Sequence, residues 1–386
     1  MKLFFPDYAV KCLNTIENSG FEAWFVGGAV RDALLNREFF DIDITTNALP
    51  EDIIKLFPKT VPTGIKHGTV TVITHGKPIE VTTYRSDIGY TDNRHPESVR
   101  FEKDIAADLS RRDFTINALA YHPKRGILDY FDGINDLKGN IIRAVGEPEL
   151  RFKEDALRIL RALRFASVLD FEIEEHTLNA VYKCAHNIKT LSGERVLTEL
   201  KKLSCGENPA IIDKLIQEGY LSHFGIISLN ESSRRLSKIS LSYRPSFLIA
   251  LCNTYVSTLK ENLKPDNELL KNVLLIKDIL KYKLPDNKAD LKRIYCGIGE
   301  ENIPLYLEAI KLIAKDSDIE IINDFAKEIS KNNEPFSISH LKISGSDLLA
   351  QGYNGEQIGK ALQNLLEFVI DNPDLNDTTT LLSKIN

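Results

Sequence analysis

Apolar positions along the first 140 residues change period several times. A helix-period run from Pro6 to Ser19, ending at Gly20, predicts an opening helix. Trp24-Phe25-Val26 then runs into Gly27-Gly28, which predicts a strand, a tight turn and a helix starting at Ala29 or Val30. Phe39 to Ile44 alternates, so a second strand is expected, with Asp41 and Asp43 on one face and Phe40, Ile42 and Ile44 turned to a core. A helix near Pro50 to Phe57 and two β-rich runs, Gly68 to Ile73 and Pro78 to Tyr84, follow. Gly76-Lys77-Pro78 between them is hairpin punctuation. Beyond Gly146-Glu147-Pro148 the strand signal nearly vanishes. Arg151 to Val168 has one strong helical pattern, and helix-period runs continue to the end, broken at Gly206, Pro209, Gly219, Pro265, Pro285 and Pro335.

Composition narrows the class. A chain of 386 residues is too long for one ordinary core, so two to four domains are expected. With 43% apolar and 27% charged residues it reads as a soluble globular protein, without an apolar run long enough to span a bilayer. The start, Met1 to Asp7, meets proline and acid too early for a signal peptide. Five scattered cysteines with no Cys-x-x-Cys pair indicate reduced thiols in a cytoplasm, and neither disulfides nor a zinc site. The net charge of −6 argues against promiscuous RNA adhesion but leaves room for one structured RNA bound by a local basic stripe.

Three segments can carry chemistry. The N–H groups after the Gly27-Gly28 turn make an anion site. Two aspartates on one strand face beside it, Asp41 and Asp43, suit Mg²⁺-dependent nucleotidyl transfer. Glu80, opposite in alternation to Ile79 and Val81, completes a three-carboxylate cluster if its strand pairs beside that of the aspartates. In the second segment, Arg111 and Arg112 supply forked donors for triphosphate or ribose oxygens. Asp113 is suited to accept from a ribose hydroxyl, and Asn117 lies four residues on along the same helical face. The third is Arg151 to Arg164, where helical spacing sets Arg151, Asp155 and Arg158 on one stripe and turns Arg164 to the face opposite Asp155. Each segment alone also fits a plainer reading, as a turn, a solvated strand face or a surface ion pair.

Taken together, the glycine turn and Asp41-Ile42-Asp43 resemble the opening of the polymerase-β-like nucleotidyltransferase superfamily. In order with Arg111 to Ala118, Asp132-Gly133-Ile134-Asn135-Asp136-Leu137 and Arg151 to Arg158, they resemble class II tRNA nucleotidyltransferases, the CCA-adding enzymes. The likeness is dense over residues 20–200, thins through the helical region and returns weakly near Ile343 to Leu349 and Gly352 to Gly359. It implies an α+β fold: a small mixed-sheet nucleotidyltransferase head (1–140), then an all-helical neck (141–205), body (206–335) and tail (336–386). It implies that Asp41 and Asp43 hold Mg²⁺, with Glu80 as a further catalytic carboxylate. Gly28, Arg31, Arg111, Arg112, Asp113, Asn117 and Arg161 would bind nucleotide. Asp155 and Arg158 would pair with CTP and then ATP. Asp132 to Leu137 would act as a hinge, and Leu191 to Leu200 as a helix turn supporting the neck. The implied partners are CTP, ATP and the acceptor–TΨC arm of tRNA; no membrane and no stable protein partner are expected.

Class II also holds A-adding enzymes and bacterial poly(A) polymerases. Thr63 to Val72 lacks the arginine-rich stretch of the polymerases, and Arg85 to Pro96 resembles the flexible loop needed for A addition. Complete CCA addition is therefore the expected activity and A addition alone the alternative. A catalytically inert RNA-binding module is more remote, because the carboxylates and the Arg111-Arg112-Asp113 triplet are all present.

Overall fold

The computed structural model describes residues 2–90, 96–230 and 232–385. The chain divides into two compact units, one of residues 1–234 with 251–265 and one of residues 235–250 with 266–386.

The first unit opens with helix α1 (Asp7–Asn18), which buries Ala9, Cys12, Leu13 and Ile16 on one face and stops before Gly20, at φ +90°. Strand β1 (Ala23–Val26) leads through Gly27 into α2 (Gly28–Leu34). Strand β2 (Asp43–Thr46), α3 (Pro50–Leu56) and the strands β3 (Thr60–Gly64), β4 (Thr69–Thr74) and β5 (Lys77–Thr83) follow. The β4–β5 turn is His75-Gly76, both at positive φ, the geometry a two-residue hairpin with right-twisting strands requires. Strands β6 (Arg85–Tyr90) and β7 (Pro96–Phe101) form a separate antiparallel pair. The part of the expected A-addition loop at 91–95 lies outside the described residues. Helix α4 (Ile105–Ser110) precedes β8 (Leu119–His122) and β9 (Gly126–Asp129).

Seven strands make one mixed sheet in the order β3-β4-β5-β2-β1-β8-β9. Its decisive pairing is β2 with β5, parallel, with Asp43 opposite Glu80 and Ile44 opposite Val81. Ile44, Val81, Phe25 and Val72 are all fully buried and form its hydrophobic interior.

Two expectations are corrected here. The aspartate strand begins at Asp43, so Asp41 lies in the segment leading into it. Phe40 is 83% exposed, whereas Ile42 and Ile44 are buried as the alternation predicts. The hydrogen bond from Glu80 N–H to Ile42 C=O still lays Glu80 alongside 41–43, although Ile42 precedes the strand proper.

After α5 (Gly133–Gly139) the unit is almost wholly helical, apart from short pairings such as Ile141–Ile142 with Glu172–Ile173. The expected single helix from Arg151 is two, α6 (Pro148–Glu154) and α7 (Leu157–Leu169). Asp155 between them is extended, at φ −142° and ψ 106°. Helix α8 (Glu175–Cys184) packs on α6, and α9 (Gly193–Ser204), with Ser192 at its N-cap position, packs on α7.

The second unit is helical, with helices Asn267–Ile279, Lys288–Ile298, Ile303–Ile313, Asp316–Lys331 and Glu356–Asp371 as its main members. Leu348, Leu365, Val369 and Leu381 build the core of its last segment. The Ser344 N–H donates to the Asp347 carboxylate at 2.8 Å, which starts the helix Gly345–Ala350. Lys292, 2% exposed, is paired at 3.0 Å with Glu334, also buried.

Candidate nucleotidyl-transfer site

The sheet centre and the α6–α7 break meet in one cavity of about 500 Å³. Gly28, Arg31, Asp43, Arg111, Arg112, Asp113, Asn117, Asp155, Arg158 and Arg161 all line it, and Asp41 and Glu80 lie outside that lining. Arg164 and Arg195 line it as well. The helical-face expectation had turned Arg164 away; the break at Asp155 uncouples α6 from α7, so a single helical wheel does not apply.

Gly27 sets the entrance. Its φ of +71° is the left-handed region that excludes most side chains, and a Cβ there would sit 3.1 Å from Arg112 Nη1 and 3.6 Å from Asp43 Oδ2. The turn thereby brings a guanidinium and a carboxylate to its own backbone. Arg31 reaches back from α2, chelating the Asp32 carboxylate with Nε and Nη2 and donating from Nη1 to Asn117 Oδ1 at 2.7 Å.

Burial pushes the Asp43 carboxyl up to about 6; the Arg112 charge opposes the rise, while Glu80 and Asp41 add to it. The carboxylate oxygens of Asp41 and Asp43 are hard donors of the kind that suits a divalent cation such as Mg²⁺. Among the described residues no group of three acidic, histidine or cysteine side chains is placed to hold a metal ion, so the expected three-carboxylate cluster of Asp41, Asp43 and Glu80 is not assembled. Asp41 and Asp43 are the residues able to hold a metal, with Glu80 adjoining.

The two arginines of the second segment are organised by Asp108, an acid that sequence reasoning missed. It is fully buried and accepts from Arg111 Nη2 at 2.7 Å and from Arg112 Nη2 at 3.2 Å. Burial works against its charge, yet the two guanidinium groups hold its carboxyl below the usual range. Thr45 Oγ1, on the metal-side strand, lies 3.3 Å from the same carboxylate. The signal was the spacing, an acid three and four residues before a pair of arginines.

Asp113 and Asn117 are in contact, though not on a helix face. Residues 115–117 form a single 3₁₀ turn, and Asn117 Nδ2 donates to Asp113 Oδ1 at 3.0 Å. The other Asp113 oxygen takes Arg161 Nε at 2.7 Å and Nη2 at 2.5 Å, while the Phe114 N–H adds to the first. All four lone-pair positions are thus in use, and a ribose hydroxyl would have to displace one partner. The segment is braced from behind by the 132–137 motif. Thr115 Oγ1 donates to Asp136 Oδ2 at 2.6 Å, and a Cβ on Gly133 would overlap the Thr115 carbonyl.

At the break, Asp155 Oδ1 accepts from the Leu157 N–H at 3.0 Å and Oδ2 from Arg195 Nη2 at 2.8 Å. Arg158 donates from Nη1 to Glu154 at 2.6 Å and from Nη2 to the Arg111 carbonyl at 2.9 Å. That last bond ties α7 to the Arg111–Arg112 segment. Arg164 stacks on Phe165 at 4.1 Å and pairs with Glu199 at 3.1 Å. Burial pushes it down to about 10, with Arg161 adding to the fall and Glu199 opposing it, so it is still charged at neutral pH. Arg31, Arg111, Arg112, Arg158, Arg161, Arg164 and Arg195 therefore share one cavity with few free acids, an arrangement that attracts a polyanion such as a nucleoside triphosphate.

The chain is similar to known proteins over most of its length. Residues 23–143 match the family described as "Poly A polymerase head domain", and residues 170–225 the one described as "Probable RNA and SrmB- binding site of polymerase A". A CCA-adding enzyme of Ligilactobacillus salivarius is 36% identical, over 97% of this chain and 94% of that protein. One from Staphylococcus haemolyticus is 38% identical over 95% and 94%. The crystal structure of the Bacillus stearothermophilus CCA-adding enzyme in complex with CTP superposes with a TM-score of 0.73 at 28% identity, covering 96% of this chain and 94% of that one.

Proposed function

We propose, from the premise that this chain belongs to the family of CCA-adding enzymes, that it completes tRNA 3′ ends with C, C and A, using CTP and ATP without a nucleic-acid template. The chain is a nucleotidyltransferase. In the reaction the tRNA 3′ oxygen bonds to the α-phosphorus, the α–β phosphoanhydride breaks and pyrophosphate leaves. One observation carries the reading. The Gly27 turn, Asp43, the Asp108-braced arginines and the Asp155–Arg158 pair all converge on one cavity.

Each group has work suited to its place. Arg111 and Arg112, held open by Asp108, face the triphosphate and hold charge as it moves to the leaving pyrophosphate. Asp155 accepts a base amino proton and Arg158 donates to a ring nitrogen, a pattern cytosine and adenine both satisfy; UTP and GTP oppose carbonyl oxygen to carboxylate. Members of this superfamily generally use divalent metal ions. We assign Mg²⁺ to Asp41 and Asp43, where it would supply Lewis-acid activation of the phosphate and the attacking hydroxyl. Residues 1–140 serve as head and 141–205 as neck, with the later helices as the body and tail that hold the tRNA arm. Among the described residues no helix is long and apolar enough to cross a membrane. We place the enzyme in the cytoplasm, with its substrate.

The test supplies CTP and ATP separately to tRNA ending at the discriminator base, at C and at CC. Complete CCA addition predicts two C additions from CTP and one A addition only onto CC. An enzyme that used ATP on CC but never CTP would be A-adding alone, and long A tracts would mark a poly(A) polymerase.

A further inference from the structure

The Asp155 carboxylate gets little support from its own chain. Its backbone is extended between two helices, and the one local donor is the Leu157 N–H. Its second oxygen is held from forty residues away, by Arg195 Nη2 on α9. The other amino group of Arg195, Nη1, is buried and has no hydrogen-bond partner, while Arg195 itself lines the nucleotide cavity. Glu199, one helical turn further along α9, likewise reaches α7 and pairs with Arg164. One face of α9 thus backs the cavity wall with a guanidinium and a carboxylate.

We propose that Arg195 is a positioning residue for base choice: its guanidinium fixes the Asp155 carboxylate in the orientation that meets the base amino group. The inference rests on the reading of Asp155 as the acceptor for the base amino group. A carboxylate on a free side chain can turn away from a carbonyl and take a water, which admits the wrong base. One held at both oxygens, by the Leu157 N–H and by Arg195 Nη2, cannot turn, so a uracil or guanine carbonyl meets an immobile negative oxygen. Lysine cannot replace this arrangement, because an ammonium lacks the planar fork.

The test compares wild type, Arg195→Ala, Arg195→Lys, Asp155→Ala and the Arg195→Ala, Asp155→Ala double variant. Values of kcat and KM are measured for CTP and UTP on tRNA lacking CCA, and for ATP and GTP on tRNA ending in CC. Arg195→Ala is expected to lower the CTP:UTP and ATP:GTP ratios of kcat/KM by about tenfold or more. Arg195→Lys should recover only part of that loss, and the double variant should lose no more discrimination than Asp155→Ala alone. Equal slowing of all four nucleotides, with ratios unchanged, would mean Arg195 is merely structural and would overturn the proposal. If Asp155→Ala itself left both ratios intact, the base-reading assignment would fall, and the role of Arg195 with it. Relaxed choice in Asp155→Ala beside strict choice in Arg195→Ala would overturn the role of Arg195 alone. Should Arg195→Ala not fold, Arg195→Lys and Arg195→Gln carry the same comparison.

Discussion

Asp113 and Arg161 pair across 48 residues of chain, with Nε 2.7 Å from Oδ2 and the acid buried. The bond joins the segment that carries Arg111 and Arg112 to α7, the helix that follows Asp155. Its two ends lie on different elements, so it makes one rigid wall of the cavity out of two.

That pair gives stability a defined acid limb. Burial alone would raise the Asp113 carboxyl, but the Arg161 charge and the Asn117 and Arg161 hydrogen bonds hold it down at about 2. A depressed carboxylate stabilises the fold above its unfolded pKa, near 4, and that stabilisation is lost as pH falls from about 4 towards 2. The contribution is about 2 kcal/mol. Urea unfolding of wild type and Asp113→Asn between pH 2 and 7 should show a shallower acid limb in the variant and lower stability at neutral pH. Parallel pH profiles would contradict the assignment.

The metal end is expected to be indispensable to chemistry and dispensable to folding. Asp41 is exposed and Asp43 half-buried, so neither carries the core. Asp41→Ala and Asp43→Ala should each reduce C and A addition by about a thousandfold or more, since charge stabilisation at the reacting phosphate is lost. Thermal midpoint and tRNA affinity, measured by filter binding, should stay near wild type. Normal turnover in either variant would exclude these carboxylates from the centre.

Arg164 lines the cavity and is expected to matter for nucleotide binding. Arg164→Ala removes a charge stacked on Phe165 and leaves Glu199 without that partner. KM for both CTP and ATP should rise by about tenfold, because the lost charge acts on the triphosphate irrespective of base. Steady-state kinetics with each nucleotide check this. A selective effect on one nucleotide would place Arg164 at the base instead.

In the second unit, the buried Lys292 ammonium has the Glu334 carboxylate as its ionic partner. Glu334→Ala would leave a buried ammonium without a carboxylate and should cost about 3–5 kcal/mol in denaturant unfolding. Combining Lys292→Met with Glu334→Ala should recover much of that loss. A double variant as unstable as Glu334→Ala would show that packing, and not the unpaired charge, sets the cost.

An apolar run located β1 and β-rich runs located β4 and β5, and the positive-φ turns at Gly27 and Gly76 followed from glycine chemistry, because these features depend on a few adjacent residues. The motif residues were legible for the same reason: Asp43, the Arg111 to Asn117 run, Asp155 and Arg158 stand in short, ordered stretches. Local pattern could not show where a periodic run would be interrupted. Arg151 to Val168 keeps a helical rhythm throughout, yet the chain opens at Asp155, where the Leu157 N–H and Arg195 each take one oxygen of a carboxylate that helix geometry would have aimed elsewhere. Asp41 falls short of its strand, and Phe40 is exposed, although the alternation of Phe39 to Ile44 would have carried the strand through both. Arg164, Arg195 and Glu199 meet partners that only folding brings near, whereas Asp108 meets arginines three and four residues on. Sequence spacing encodes which residues share a face; which acid each arginine meets is decided by how the helices pack on one another and on the sheet.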